Sequence, residues 1–277
     1  MIGNMNKLNE TIRHVFPNQA CTVEKTGKGL TNDNYLLTID EKRYIVRVPK
    51  EDFASFVDRK REREIELQVQ DLSVPLIYFD AASGIKITEY VEGLYEYADC
   101  PYEDKIERCA RLMKQLHRHK AIGVKFDAFQ MLQDYRRSVS KPLFDLSPYE
   151  ENIQAIKDFH HPLVLCHNDF VSGNILFGKQ RDYLIDYEYG ADNDPLFDVI
   201  SFLSENQIFD ESLRERFYAE YFETMNDELR RALYAYEQFE NVLWCNWAMM
   251  MYENRRQETY RQIAQDKYDA LLKMEAH

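Results

Sequence analysis

The run LVLCHNDFVSGNILF, residues 163 to 177, sets polar side chains at fixed offsets in an otherwise apolar segment. Polar groups among Leu, Val, Ile and Phe cost free energy unless they are paired or put to use. His167, Asp169 and Asn174 therefore need a reason. The four residues between Asp169 and Asn174 put both on one tight loop between apolar runs. Twelve residues after Asn174, Asp186 ends another short apolar run, YLI.

The N-terminal third reads as sheet. Residues 7–16 suggest a short helix. Segments 20–25, 34–39 and 43–48 are rich in β-branched and aromatic residues and read as strands, the last two joined by the turn DEK. TGKGLTND lies between the first two and supplies Gly27 and Gly29. Residues 53–70 are charge-rich, with Phe56, Ile65 and Val69 at helical spacing. PLIYFD and IKITEYVEG add further strands. After Gly93 the pattern turns mostly helical. In EDKIERCARLMKQLHRHK, Ile106, Cys109, Ala110, Met113 and Leu116 fall on one face, and residues 195–275 again read as helices. The expectation is two domains, 1–93 and 94–277, with the site in a cleft between them.

Composition narrows the partners. A chain of 277 residues with a net charge of −13 lacks the basic footprint of a nucleic-acid binder or of a protein drawn to anionic membranes. The same charge suits a small cationic substrate. The cysteines Cys21, Cys100, Cys109, Cys166 and Cys245 are odd in number and show no C-x-x-C spacing. They are expected to be reduced thiols of a cytoplasmic protein rather than a disulfide framework or zinc site. The N-terminus has no signal-like apolar core, and no apolar run reaches the ~18 residues of a membrane span.

HNDFVSGN has the form H-x-D-x-x-x-x-N, and with Asp186 downstream it resembles the catalytic loop and metal-binding Asp of protein kinases. Phosphoryl transfer explains each part. A carboxylate near the acceptor hydroxyl orients it and takes its proton, which fits Asp169. Magnesium with its triphosphate prefers hard oxygen ligands, which Asn174 and Asp186 offer. His167 is expected to pin the loop by hydrogen bonds.

Further stretches extend the likeness. HNDFVSGNILF, LIDYEYG, PLFDVISFLSEN and WCNWAMMMYE resemble the H-N-D loop, the I-D-[FY]-E-Y segment, the acidic helix and the W-x-x-W helix of the choline/ethanolamine kinase family. That family lies within the aminoglycoside-phosphotransferase and protein-kinase-like superfamily. GKGLTNDNYLL resembles its phosphate loop and YIVRVP its nucleotide-binding strand. The resemblance implies an α/β (α+β), bilobal protein-kinase-like fold. Its small lobe is an antiparallel sheet plus one helix, and its larger lobe is mostly helical. It also implies transfer from ATP with Mg²⁺ to the hydroxyl of choline, giving phosphocholine and ADP.

Residue by residue, the resemblance puts Gly29, Thr31 and Asn32 against phosphate oxygens, with Arg47 as the strand cation. Its helix partner is Glu62, with Glu64 and Glu66 as competitors. Backbone groups from Glu89 to Val91 meet adenine. Glu188 is the auxiliary ligand for a second Mg²⁺, and Asp198 orients the loop. Trp244, Trp247 and Tyr189 form an aromatic cage for a quaternary ammonium, with Glu205 as a nearby acid. The family adds a Tyr on the last helix where this chain has Ile263, with Tyr260 one turn earlier. Either Tyr260 substitutes or that wall is missing. Other readings are a kinase for ethanolamine, thiamine or an aminoglycoside, and a non-catalytic ligand-binding relative.

Overall fold

The computed structural model describes residues 2–26, 32–50, 57–156 and 161–275. The chain is a mixed α/β fold that divides into two compact units, Met1–Tyr102 with Gly173–Gly190 and Glu103–Ser172 with Ala191–His277.

In the first unit, α1 (Ile2–Val15) precedes β1 (Cys21–Lys25), β2 (Asn32–Ile39), β3 (Lys42–Pro49), α2 (Arg59–Gln68), β4 (Leu76–Phe79) and β5 (Lys86–Glu89). The strands form the expected five-stranded antiparallel sheet, in the order β1-β2-β3-β5-β4. Side chains alternate between its faces. Tyr35, Leu37 and Ile39 of β2, Tyr44, Val46 and Val48 of β3, and Ile87 of β5 pack with Leu8 and Ile12 of α1. On the opposite face Arg47 of β3 lies directly across from Lys86 of β5. Like charges so placed repel, and α2 supplies the answering carboxylates. Asp58 starts that helix by accepting from the backbone N–H groups of Lys60 and Arg61. Residues 51–56, where the helix was expected to begin, lie outside the described residues.

Short strands follow: β6 (Tyr95–Glu96), β7 (Val164–Cys166), β8 (Ile175–Phe177), β9 (Asp182–Leu184) and β10 (Ala191–Asn193). Strands β6, β8 and β9 form an antiparallel sheet. That pairing is why residues 173–190 belong to the first unit, in contrast to a single division near Gly93.

The second unit joins the β7–β10 pair to helices α3 (Lys105–Leu116), α4 (Ala128–Ser138), α5 (Glu150–Ala155), α6 (Pro195–Glu205), α7 (Glu211–Tyr221), α8 (Asp227–Arg255) and α9 (Glu258–Glu275). The expected stripe of α3, Ile106 to Leu116, is buried. Arg256 takes the left-handed conformation (φ 54°) and reverses the chain from α8 into α9. None of the five cysteines forms a disulfide, and all except Cys21 are buried. No helix among the described residues is long and apolar enough to cross a membrane.

Candidate active site

The β8–β9 hairpin positions the metal-type residues. Asn174 immediately precedes β8, and Asp186 lies just beyond β9. Ile175 pairs with Leu184, and the Ile185 N–H donates to the Asn174 carbonyl at 3.0 Å, so Asn174 and Asp186 share the open end of the hairpin. At the closed end a Cβ on Gly178 would lie 2.5 Å from the Arg181 carbonyl oxygen, so the turn admits only glycine. Asp186 itself is left-handed, φ 68° and ψ 61°, a costly conformation for a residue other than glycine. The helical turn Tyr187–Tyr189 follows and buries Glu188.

Around these carboxylates lies a buried network of charge. The Arg47 guanidinium forms an ion pair with Glu62 at 2.5 Å, and its Nη1 donates to Asp186 Oδ1. Glu62, with no solvent exposure, also meets Arg59 at 2.7 Å and Lys86 at 3.7 Å. Lys86 donates to Glu66. Arg59 lies 3.4 Å from Glu188, and the Asn32 amide donates to Glu188 at 3.5 Å. Burial works against the charge on Arg47, but Asp186 and then Glu62 outweigh it and hold the guanidinium firmly protonated. Burial, and then the charge of Asp186, push the Glu188 carboxyl upward.

This donor set fits a hard divalent cation. Asp186 is 26 % exposed, so one carboxylate is within reach of solvent. A cation there would relieve the repulsion that raises Glu188.

Among Glu62, Glu64 and Glu66, it is Glu62 that pairs with Arg47. Glu64 is exposed and Glu66 serves Lys86. Arg59 and Lys86 were not anticipated, nor was the pairing of Glu66 with Lys86 rather than Arg47. The signal was present for Arg59 and Glu66, since Arg59, Glu62 and Glu66 recur at i, i+3 and i+7 on one helix face. On the nucleotide side, Gly29 and Thr31 lie outside the described residues. Asn32 is buried at the start of β2, with its side chain on Glu188. Glu89 and Tyr90 direct their N–H groups to the Pro75 and Arg43 carbonyls, and Val91 follows, half-buried.

The second unit holds the H-N-D loop. After β7 the N–H groups of His167 and Asn168 donate to the two oxygens of Asp198 at 2.8 and 2.7 Å. Asp198 is fully buried at the N-terminal turn of α6, and His117 Nε2 lies 3.0 Å from it. Asn168 is left-handed at φ 62°, and its side-chain oxygen accepts from Asn193 at 2.8 Å. The Phe170 N–H donates to Ser201 at 3.0 Å. Asp169 is thus fixed by its neighbours on both sides and remains half-buried. Asp198 thus holds the loop through backbone donors that a sequence motif does not display.

Trp244 and Trp247 of α8 stand edge to face at 6.3 Å and 88°, and Trp247 meets Tyr260 of α9 at 5.7 Å and 83°. Tyr260 therefore supplies a ring beside the tryptophans. Tyr189 belongs to the first unit, with Asp186 and Glu188. Glu205 accepts from Lys267 at 2.5 Å. Glu240, one turn before Trp244, was not anticipated; it is fully buried.

Known proteins resemble this arrangement. The sequence pattern described as the phosphotransferase enzyme family matches residues 22–236. Protein LicA of Haemophilus influenzae is 26 % identical over 266 residues, covering 88 % of this chain and 98 % of that protein. Ethanolamine kinase 2 of Mus musculus is 26 % identical over 224 residues, covering 73 % of this chain and 58 % of that protein. A crystal structure of the choline kinase LicA from Streptococcus pneumoniae superposes with a TM-score of 0.80 at 23 % identity, covering 97 % of this chain and 99 % of that one.

Proposed function

Since the chain belongs to the phosphotransferase enzyme family, with choline/ethanolamine kinase-like relatives, we propose that its kinase chemistry takes choline as acceptor. The terminal phosphoryl group of ATP passes to the choline hydroxyl, and phosphocholine and ADP are released. Asp169 orients that hydroxyl and accepts its proton. Arg47, kept charged by Glu62 and Asp186, meets the phosphates. Asn174, Asp186 and Glu188 would hold Mg²⁺, which supplies charge stabilisation for the transferring group. Cysteines that form no disulfide and an ATP donor support a cytoplasmic setting.

One observation carries the choice of acceptor. Trp247 stands near-perpendicular to both Trp244, on its own helix, and Tyr260, on the adjoining one. A quaternary ammonium donates no hydrogen bond and is recognised by aromatic faces in a negative field. The net charge of −13 supports that field.

Coupled ADP release with Mg²⁺–ATP against choline, ethanolamine, thiamine and kanamycin tests the reading, with Asp169→Asn as control. Choline-dependent turnover well above the others, lost in the control, is expected. Turnover with ethanolamine alone would keep the chemistry and discard the cage. An active control would remove Asp169 from its role.

A further inference from the structure

Glu240, Trp244 and Trp247 recur on α8 at i, i+4 and i+7, and Tyr260, Ala264 and Lys267 repeat the spacing on α9. The two stripes face each other in opposite directions. Trp247 meets Tyr260 at one end, and Cys245 Sγ donates to the Ala264 carbonyl in the middle. Glu240 and Lys267 therefore fall level at the other end. Lys267 is engaged elsewhere, on Glu205 at 2.5 Å and on Ser204 Oγ at 3.2 Å.

Glu240 is fully buried, and neither carboxyl oxygen has a hydrogen-bond partner among the described residues. The Trp244 indole N–H, one turn further along the same stripe, is also buried without a partner among them. An ionised carboxylate so isolated costs far more than a neutral one. Burial, and next the charge of Glu205, raise this carboxyl well above the usual carboxylate range. The groups that act on it are Glu205 and Asp198 from α6, Lys267 from α9 and Glu237 from α8, so negative charge predominates. A buried acid one helical turn from Trp244, whose neighbouring cation Lys267 is engaged elsewhere, lacks one thing: a positive charge.

We infer that Glu240 is the charge-sensing, specificity-determining residue of the acceptor site, holding a proton in the absence of acceptor and releasing it when a cationic nitrogen binds. The inference rests on the reading of the Trp244–Trp247–Tyr260 cluster as that site. The carboxyl O–H bond breaks, the proton passes to bulk water, and the carboxylate left behind neutralises the bound cation. No other bond changes. Acceptor affinity therefore rises with pH through the ionisation range of Glu240 and then levels. An uncharged acceptor of the same shape gains nothing from the exchange.

The test is calorimetry of choline binding to the full chain in two buffers of different ionisation enthalpy, with the Glu240→Gln variant in parallel. The neutral probe is the carbon isostere of choline, in which a tert-butyl group replaces the trimethylammonium. Wild type is expected to release about one proton per choline bound near neutral pH, and to bind the isostere at least about tenfold more weakly. Glu240→Gln is expected to lose proton release, to raise the choline KM by about tenfold with the ATP KM unchanged, and to narrow the preference over the isostere. Choline binding by wild type without buffer-dependent heat overturns the inference alone, as does a variant with unaltered choline KM and preference. Should the variant not fold, proton release and the pH profile of the choline KM in wild type decide the matter. Absence of both binding and turnover with choline and with ethanolamine would overturn the acceptor reading and this inference with it.

Discussion

Arg47 and Asp186, 139 residues apart in sequence, are joined by a hydrogen bond from Nη1 to Oδ1. The cation assigned to the phosphates and the carboxylate assigned to the metal hold each other. The carboxylate helps keep the guanidinium charged, and under the proposed function each would exchange that partner when nucleotide and metal bind. Asp186→Asn is expected to lower kcat by roughly 10²–10³-fold, the scale of losing one charged group from a transition-state cradle. Nucleotide binding measured without divalent metal should not weaken, because Arg47 then meets the phosphates without a carboxylate competitor. Fluorescence titration of ADP in chelator checks this. Weaker metal-free binding would mean that Asp186 orders the site rather than competing for Arg47.

Glu62 is the hub of the buried charges, and Glu64 two residues on is exposed. Glu62→Ala leaves buried cations uncompensated and is expected to cost about 3–5 kcal/mol. Glu64→Ala should stay within about 0.5 kcal/mol of wild type. Urea denaturation midpoints separate them, and equal effects would contradict the assignment.

Asp198 satisfies two backbone N–H groups that lead into Asp169. Asp198→Ala orphans both at about 1–3 kcal/mol each. Asp198→Asn keeps only one oxygen acceptor and should lose less. Both variants should reduce kcat more than they raise either KM. A stability loss with kcat intact would make Asp198 a purely structural acid.

Trp247 touches both Trp244 and Tyr260. Trp247→Ala should raise the choline KM by roughly tenfold, the scale of one desolvated cation–π contact. The ATP KM should stay put. Equal effects on both substrates would return the ring to the ordinary core.

How far such residues were legible depended on what held them. The H-N-D loop and the downstream Asp-Tyr-Glu are sequence-local, so their spacing carried the chemistry directly. The five-stranded sheet was legible from short runs rich in β-branched and aromatic residues. In DRKREREIE the resemblance singled out Glu62, but apart from a shared helix face nothing local marks Arg59 and Glu66 as buried beside it. Their partners Lys86, Arg47 and Glu188 come from strands and a turn far along the chain, and no local pattern announces such pairings. Glu240 escaped for a different reason. A lone acid in a long helix is ordinarily a surface residue, and it is the packing of α6 and α9 against α8 that puts it in the interior.

Residues Gly173–Gly190 complete a unit that begins at Met1. This has a consequence for the order of synthesis. A nascent chain that has emerged only to Tyr102 carries Arg47, Glu62 and β6, but has neither the Asp186 that answers the guanidinium nor the strands β8 and β9 that pair with β6. Of the charges buried in the finished unit, that stretch supplies Arg47, Arg59 and Lys86 against Glu62 and Glu66, and the strand that pairs with β6 lies beyond it. The unit's last contacts close a very long loop, the slow kind of step in folding. The unit made first is therefore finished only after most of the chain has been translated.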